Sequence, residues 1–246
     1  PDGLYRTRVD RHGLPLDDTP WLYDQAFVLF ALASAFEAGL QQPAMLAKAR
    51  SLIKAMDGLR HSAGGWREAG DWPFQANAHM HLLEACLAWA GLDVAGPWNA
   101  LADEIVNLAQ RAFIDPDRGV VREFFHDDWT PRTHDDGQLI EPGHQFEWAW
   151  LLTRWGRLRD NRWAQDAAHQ LYAAGQRGVD SRLGVAVDAM SDDLSIVHRQ
   201  ARLWPQTERL KAALILAEIT VGDRRGGFIR DAHAALHGLL RYLEST

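Results

Sequence analysis

Apolar residues recur along most of the chain at intervals of three or four positions, which is the spacing of one face of an α-helix. Proline or glycine commonly lies where such a segment begins or ends. The predicted helices cover residues 20–38, 43–59, 77–92, 97–113, 143–158, 162–178, 204–221 and 227–243. Turn-rich segments between them predict short β-hairpins over residues 4–16, 120–131 and 183–197. The pattern therefore predicts an all-α fold of about eight helices in four hairpins, with accessory strands.

The first, third, fifth and seventh predicted helices open with polar and aromatic residues. Tyr23, His81, His144 and Trp204 lie in these openings about 60 residues apart, the length of two helices with their connections. If alternate helices form an inner ring and run in one direction, these four N-termini meet at one mouth. Unpaired N–H groups and helix dipoles there favour oxygen-rich ligands and developing negative charge. One such cluster is typical of a helix cap with a core aromatic residue, but four in phase predict an active site.

Two of these helices carry residue pairs that suit proton transfer. Asn77 and His81 are four positions apart and share a helix face, whereas His79 is directed towards a neighbouring helix or solvent. His144 and Glu147 are three positions apart, so the carboxylate can orient the imidazole or bind the same ligand hydroxyl. An imidazole that titrates near neutral pH suits proton transfer to and from carbon. His-x-x-Glu on one helix is a weak signal by itself, and a lone histidine at a helix end is more often structural.

Composition and charge narrow the class of ligand. The net charge of −7 is spread along the chain without a lysine or arginine run, which argues against nucleic acid and anionic membranes as partners. Cys86 is the only cysteine, so a disulfide framework is excluded and a reducing cytoplasm is the expected compartment. No apolar stretch approaches the roughly 20 residues that cross a bilayer. A neutral or weakly charged small molecule is the expected ligand.

Several catalytic motifs are absent from the sequence. There is no His-Glu-x-x-His motif, which disfavours a metal site, and no Gly-x-Ser-x-Gly elbow of a serine hydrolase. A glycine-rich phosphate loop is also missing, which disfavours nucleotide chemistry. We therefore expect no metal and no cofactor.

Four sequence segments together resemble the N-acylglucosamine 2-epimerase superfamily, which also contains mannose isomerases and cellobiose 2-epimerases. They are LYDQAF at 22–27, NAHMHLLEA at 77–85, EPGHQFEWAW at 141–150 and RLWPQTE at 202–208. The resemblance runs across essentially the whole chain and implies an α/α toroid, a six-hairpin barrel closed by twelve helices. Because the pattern predicts about eight, we expect residues 1–246 to form a single α/α-barrel domain that lacks N-terminal and C-terminal helices of the complete barrel.

The resemblance implies catalytic roles for His144, His81 and Glu147. His144 would be one of two histidines that move a proton at C1 and C2 of an open-chain sugar through an enediolate. His81 would assist ring opening or bind the ring oxygen, and Glu147 matches the carboxylate beside the histidine. The second proton-transfer histidine belongs to the family's last hairpin, and neither His233 nor His237 matches it.

The resemblance also implies substrate-binding residues. Tyr23 and Asn77 match residues that contact sugar hydroxyls, and Trp204 matches an indole that lines the pocket. An indole offers apolar area to the C–H face of a pyranose. Cellobiose epimerases tend to have two adjacent tryptophans where this sequence has Leu203 and Trp204, which favours a monosaccharide over a disaccharide.

These observations predict a cofactor-independent aldose–ketose isomerase or 2-epimerase that acts on a monosaccharide such as mannose, fructose or N-acylglucosamine. The expected partner is the sugar, not nucleic acid or a membrane, and a homodimer stays open. Two alternatives remain. The first is a carbohydrate hydrolase or lyase on an α/α barrel, which would need a pair of acids such as Asp24 and Glu147. The second is a non-catalytic helical protein that binds a sugar or a partner.

Overall fold

The computed structural model describes residues 2–133 and 137–243. Within these ranges the chain forms eight α-helices, as the apolar pattern predicts. They are α1 (Leu22–Glu37), α2 (Gln42–Ala55), α3 (Ala76–Ala90), α4 (Trp98–Leu108), α5 (Pro142–Arg159), α6 (Arg162–Arg177), α7 (Trp204–Ile219) and α8 (Asp223–Leu240). None of the helices in the described part of the chain is long and apolar enough to cross a membrane.

Helix boundaries differ from the prediction where the local sequence is ambiguous. A 3₁₀ turn (Met56–Leu59) follows α2, and a π-helical turn (Ala109–Phe113) follows α4. Helix α8 begins before the predicted start at residue 227, because Gly226 and Gly227 lie inside the helix. Glycine pairs usually mark a helix end, but packing against α7 outweighs their low helix propensity here.

The described residues divide into two compact units. The first comprises residues 2–112 and 124–130, and the second comprises residues 113–123, 131–133 and 137–243.

In the first unit, α1 and α3 lie side by side, with α2 packed on α1 and α4 packed on α3. Near the helix C-termini, the Trp89 indole donates to the carbonyl of Leu29 at 2.9 Å and packs against Phe36. Near the N-termini, the rings of Tyr23 and His81 are 4.9 Å apart. Because like ends meet, α1 and α3 run in the same direction.

The second unit repeats this arrangement. Helices α5 and α7 lie side by side, α6 packs on α5, and α8 packs on α7. The rings of His144 and Trp204 are 5.2 Å apart at the N-terminal ends, and Arg157 pairs with Glu218 at 3.2 Å near the C-terminal ends. Alternate helices are therefore parallel neighbours within each unit.

Short antiparallel strands occupy the connections. Strands β1 (Arg8–Val9) and β2 (Pro15–Asp17) form the hairpin predicted for residues 4–16. Strands β6 (Ala189–Ser191) and β7 (Ile196–His198) form the hairpin predicted for residues 183–197, and β5 (Leu139–Ile140) adds a third strand that was not predicted. Two residues are too short a stretch to show the alternation of a strand.

The segment 120–131 differs from its predicted hairpin. Its first residues form β4 (Val120–Val121), which pairs back with β3 (Ile114–Asp115) in the second unit. Residues 124–130 belong to the first unit, where Phe124 pairs with Gln75. The predicted hairpin is reduced to a tight turn, in which the N–H of His126 donates to the carbonyl of Thr130 at 2.9 Å. The residues before the turn pair instead with Ile114–Asp115 and with Gln75.

Candidate active site

We call the two helices that lie side by side in each unit the inner helices, α1 and α3 in the first and α5 and α7 in the second. Those of the second unit each carry a buried glutamine that binds a distant backbone segment. Gln145 on α5 accepts the N–H of Val121 at 2.8 Å and donates to its carbonyl at 3.0 Å. Gln206 on α7 accepts the N–H of Ala186 at 2.7 Å and donates to its carbonyl at 2.8 Å. Because one side-chain amide satisfies both backbone groups of its partner, each connection is held in register with the start of a helix.

The first unit has one contact of the same kind and one related contact. Gln25 on α1 accepts the N–H of Tyr5 at 2.7 Å and donates to its carbonyl at 2.8 Å. On α3 the position is taken by His79, whose Nε2 accepts the N–H of Trp66 at 3.0 Å while Nδ1 donates to the carbonyl of Gln75 at 2.9 Å. All four side chains accept the N–H of a distant backbone amide, and we therefore call these residues the amide clamps: Gln25, His79, Gln145 and Gln206.

His144 lies in the first turn of α5, directly before the clamp residue Gln145. Its side chain is buried, and its Nδ1 is 2.9 Å from Oε2 of Glu123, a buried carboxylate two residues beyond the clamped Val121. Burial alone lowers the pKa of His144. The charge of Glu123 and its hydrogen bond, with the charges of Glu141 and Glu147, outweigh burial and raise the pKa from 6.5 to about 9.

A second ion-pair group surrounds the start of α7. Arg202 donates to Glu141 at 3.0 Å and to Asp188 at 3.0 Å, and its guanidinium lies 5.4 Å from the ring of Trp204. Trp204 is half-buried and lies beside His144. Burial raises the pKa of Glu141 despite the nearby charges of His144 and Arg202. An imidazole, an indole and carboxylates are thus assembled at the N-terminal ends of α5 and α7.

The corresponding region of the first unit is aromatic. The ring of His81 lies 4.9 Å from that of Tyr23 and 4.6 Å from that of Phe27, and its Nδ1 is 3.8 Å from Oε2 of Glu84. Buried Glu68 accepts the N–H of Tyr23 at 2.9 Å, which satisfies a backbone donor at the start of α1. The prediction that Asn77 and His81 share a helix face follows from their positions on α3.

His79 is a structural residue. It is buried between the rings of Trp66 and Trp129, at 5.9 and 5.3 Å, and burial lowers its pKa to about 4. The sequence predicts that it faces a neighbouring helix or solvent, whereas it reaches the loop that contains Trp66. Its ring nitrogens are both occupied by backbone groups.

Sequence reasoning selected His144 but missed Glu123 and Arg202. The carboxylate at Nδ1 of His144 is that of Glu123, 21 residues earlier in the chain, and the nearer Glu147 acts on its pKa through charge. A usable signal exists in hindsight: Arg-Glu occurs at 67–68 and again at 122–123, each time ahead of an inner helix. Glu123 binds the start of α5, the helix that follows it, whereas Glu68 binds the start of α1, which precedes it in the chain.

The chain is similar to known sugar isomerases and epimerases along most of its length. The model of the family N-acylglucosamine 2-epimerase (GlcNAc 2-epimerase) matches residues 1–244. A mannose-6-phosphate isomerase of Rhizobium meliloti (strain 1021) is 39% identical, over 99% of this chain and 65% of its own length. A D-mannose isomerase of Thermobifida fusca is 32% identical, over 91% of this chain and 60% of its own length.

The fold is also found among solved structures. Cellobiose 2-epimerase from Bacillus thermoamylovorans B4167 superposes with a TM-score of 0.81 at 18% identity, over 93% of this chain and 62% of that one. This likeness confirms the predicted all-α fold class of the α/α toroid type. The chain spans less than two thirds of the length of each of these three proteins. Since the family model covers nearly all of the sequence, the chain belongs to the N-acylglucosamine 2-epimerase family.

Proposed function

We propose that the full-length protein is a sugar isomerase or 2-epimerase in which His144 transfers a proton at the sugar carbon. The observation that carries this proposal is the buried pair of His144 and Glu123, which raises the pKa of the imidazole to about 9 beside the indole of Trp204. Buried, strongly perturbed imidazoles are typical of acid/base sites. Membership of the epimerase family supports the reaction class.

The proposed chemistry begins with the open-chain sugar. The neutral imidazole of His144 takes the proton from C2, and the electron pair of the C–H bond passes to the carbonyl, which gives an enediolate. The imidazolium that forms is stabilised by the surrounding carboxylates. Return of the proton to C1, with transfer of the O2 hydroxyl proton to O1, gives the ketose. Delivery of a proton to the opposite face of C2 gives the epimer. A pKa of about 9 makes the imidazole a strong base, although only a small fraction is neutral at pH 7.

Sugar binding is proposed for the remaining residues. Among the described residues, buried Oδ1 of Asn77 has no hydrogen-bond partner, and a sugar hydroxyl would supply the donor it lacks. The indole of Trp204 offers an apolar surface to a sugar ring. On the family resemblance, we assign Tyr23 to contacts with sugar hydroxyls and His81 to the ring oxygen. Glu147 is assigned to the catalytic group as the carboxylate beside His144. The D-mannose isomerase relative supports a monosaccharide such as mannose or fructose.

Deuterium incorporation at C2 of mannose, or at C1 of fructose, in heavy water tests the proposal. The wild-type full-length protein should catalyse exchange, and His144→Ala should lose about 100- to 10,000-fold of the rate, the usual contribution of a general base. His79→Gln serves as the matched control, because it changes a buried histidine whose two ring nitrogens each bind a backbone group. Circular dichroism would establish that both variants are folded.

Normal exchange by the His144 variant would contradict the assignment. A hydrolase or lyase would cleave a glycoside without C2 exchange, and a sugar-binding protein would do neither. Prolonged chelation should leave the exchange rate unchanged, because the proposed chemistry uses side chains alone. Loss of exchange on chelation would favour a metal-dependent reaction instead.

A further inference from the structure

Glu123 makes two contacts with the start of α5. Its Oε2 lies 2.9 Å from Nδ1 of His144, and its Oε1 accepts the backbone N–H of Glu141 at 3.4 Å. The residue is only 3% exposed. Both carboxylate oxygens are therefore directed at the helix end that carries the imidazole.

The backbone that carries Glu123 is held on both sides. The amide clamp of Gln145 fixes Val121, two residues earlier. The neighbouring Arg122 is buried and pairs with Asp115 at 2.8 Å and with Asp192 at 2.9 Å. These contacts leave the Glu123 backbone little freedom to move relative to α5.

The same placement occurs at α1 with different chemistry. There the clamp Gln25 binds Tyr5, and the residue two positions later, Thr7, donates its hydroxyl to Asp24 at 2.6 Å. Asp24 precedes Gln25 just as His144 precedes Gln145. In both helices, the residue before the clamp contacts the residue two positions after the clamped one. At α5 this contact joins the carboxylate of Glu123 to the imidazole of His144.

We propose that Glu123 is the positioning residue of His144. Its carboxylate keeps Nδ1 of His144 protonated and leaves Nε2 of the same ring as the atom that exchanges a proton with the sugar. An ionised carboxylate can only accept hydrogen bonds, so the shared proton resides on Nδ1. The bond also restricts rotation of the ring. This inference deepens the proposed function and rests on it for the identity of the reaction.

Other charges around His144 limit how far its pKa can fall when Glu123 is replaced. Glu141 and Glu147, both on or next to α5, also raise its pKa, and Arg202 pairs with Glu141. Removal of the Glu123 charge therefore leaves two carboxylates near the imidazole. We expect the pKa of His144 to fall from about 9 by about 1–3 pH units, the usual effect of one adjacent opposite charge.

The first measurement is an NMR titration of the His144 ring in the full-length protein without sugar. Glu123→Gln keeps the size of the side chain and removes its charge. The pKa of His144 should fall, and the Nδ1 proton signal should lose the downfield shift of a charge-assisted hydrogen bond. Glu218→Gln, which removes an exposed carboxylate paired with Arg157, is the matched control and should leave His144 unchanged.

The second measurement is the pH dependence of C2 exchange. In the wild type, kcat/KM should rise with pH to a plateau, and the midpoint of the rise should lie near the pKa of His144. Glu123→Gln should shift that midpoint to lower pH. At its new plateau the variant should be slower by at least about tenfold in kcat, with KM changed by less than about threefold, because the base is weaker and misoriented while sugar contacts remain. Glu123→Asp should recover part of the pKa but not the full rate.

The two measurements separate the failures. An unchanged His144 pKa in a folded Glu123→Gln protein would overturn the positioning role. An unchanged pH profile in an active variant would also overturn it. If wild-type protein shows no C2 exchange, the proposed function fails, and the NMR titration still decides whether Glu123 controls the protonation of His144.

Discussion

The pKa values of two buried histidines, His79 and His144, are shifted in opposite directions. Burial of His79 among aromatic rings disfavours the charged imidazole and lowers its pKa to about 4. His144 meets three carboxylates, and its pKa rises to about 9. Sequence spacing alone gave both residues a place at a helix start, and only their surroundings separate a structural imidazole from a candidate acid/base group.

The clamp role of His79 predicts the effect of its replacement. His79→Gln should keep most of the stability, since glutamine accepts the distant backbone N–H at the three other clamps. His79→Ala should lower the free energy of unfolding by at least about 1–3 kcal/mol, because the buried N–H of Trp66 loses its acceptor. Urea denaturation measures both. Equal stability of the two variants would contradict the clamp.

His79 also predicts how stability depends on pH. Its folded pKa of about 4 lies below the ordinary value of 6.5, so the unfolded chain binds a proton first as the pH falls. The stability that it contributes is present above pH 6.5 and is lost as the pH falls towards 4, by about 3 kcal/mol in total. His79→Gln should remove this part of the dependence in denaturation curves taken between pH 7 and 4.5. Parallel curves for wild type and variant would rule the explanation out.

At the scale of elements, the amide clamps explain why helix starts carry the candidate site. Each clamp joins an inner helix to a connection that precedes it by 13 to 24 residues. The connection then contributes its own side chains to the helix end, as Glu123 does for His144. A helix supplies one half of such a site, and the clamped connection supplies the other.

This division also explains what could be predicted from the sequence. Helices with a strong apolar period, and residues within one helix such as His144 and Glu147, follow from local spacing. The contact between Glu123 and His144 does not, because it depends on how Val121 is held against Gln145. The partner of strand β4 was also predicted wrongly. The sequence predicts that it pairs with the residues after it, whereas it pairs with Ile114–Asp115 before it.

Helices α5 and α7 approach closely at Gly143, which predicts a sensitive position. A Cβ at Gly143 would collide with the indole of Trp204 and lie 3.1 Å from Pro205. Gly143→Ala should therefore displace the indole, lower stability by about 1–3 kcal/mol as overpacking does, and raise KM for the sugar. The matched control is Gly227→Ala in α8, whose Cβ would meet only the end of the Arg230 side chain at 4.0 Å.

Thermal unfolding and sugar kinetics of the two alanine variants provide the check. The control should be neutral or stabilised by up to about 1 kcal/mol, the helix-propensity gain of alanine over glycine. An unchanged KM in Gly143→Ala would show that the position of Trp204 does not affect sugar binding. Equal stability of both variants would show that the α5–α7 contact can relax around a methyl group.

For the whole molecule, the distribution of exposed apolar side chains predicts how the 246-residue chain behaves in solution. Helix α8 buries the small residues Ala232, Ala235 and Gly238, whereas Leu236 and Leu240 on another face are 41% and 42% exposed. Ile229 lies on the same face and is 38% exposed. We call these three side chains the α8 stripe, and exposed His233 lies among them. Several large apolar side chains exposed on one face are typical of an interface.

We therefore expect the 246-residue chain, expressed by itself, to associate as its concentration rises. Light scattering after size exclusion should give a mass above the monomer value of 27.7 kDa. The double substitution Leu236→Glu and Leu240→Glu should return the mass to that of a monomer, because each added charge would have to be desolvated in the interface. Arg162→Glu, which changes a residue whose side chain is 92% exposed on α6, should leave the association unchanged. A wild-type chain that stays monomeric and unfolds cooperatively across the concentration range would show that the α8 stripe is tolerated in water.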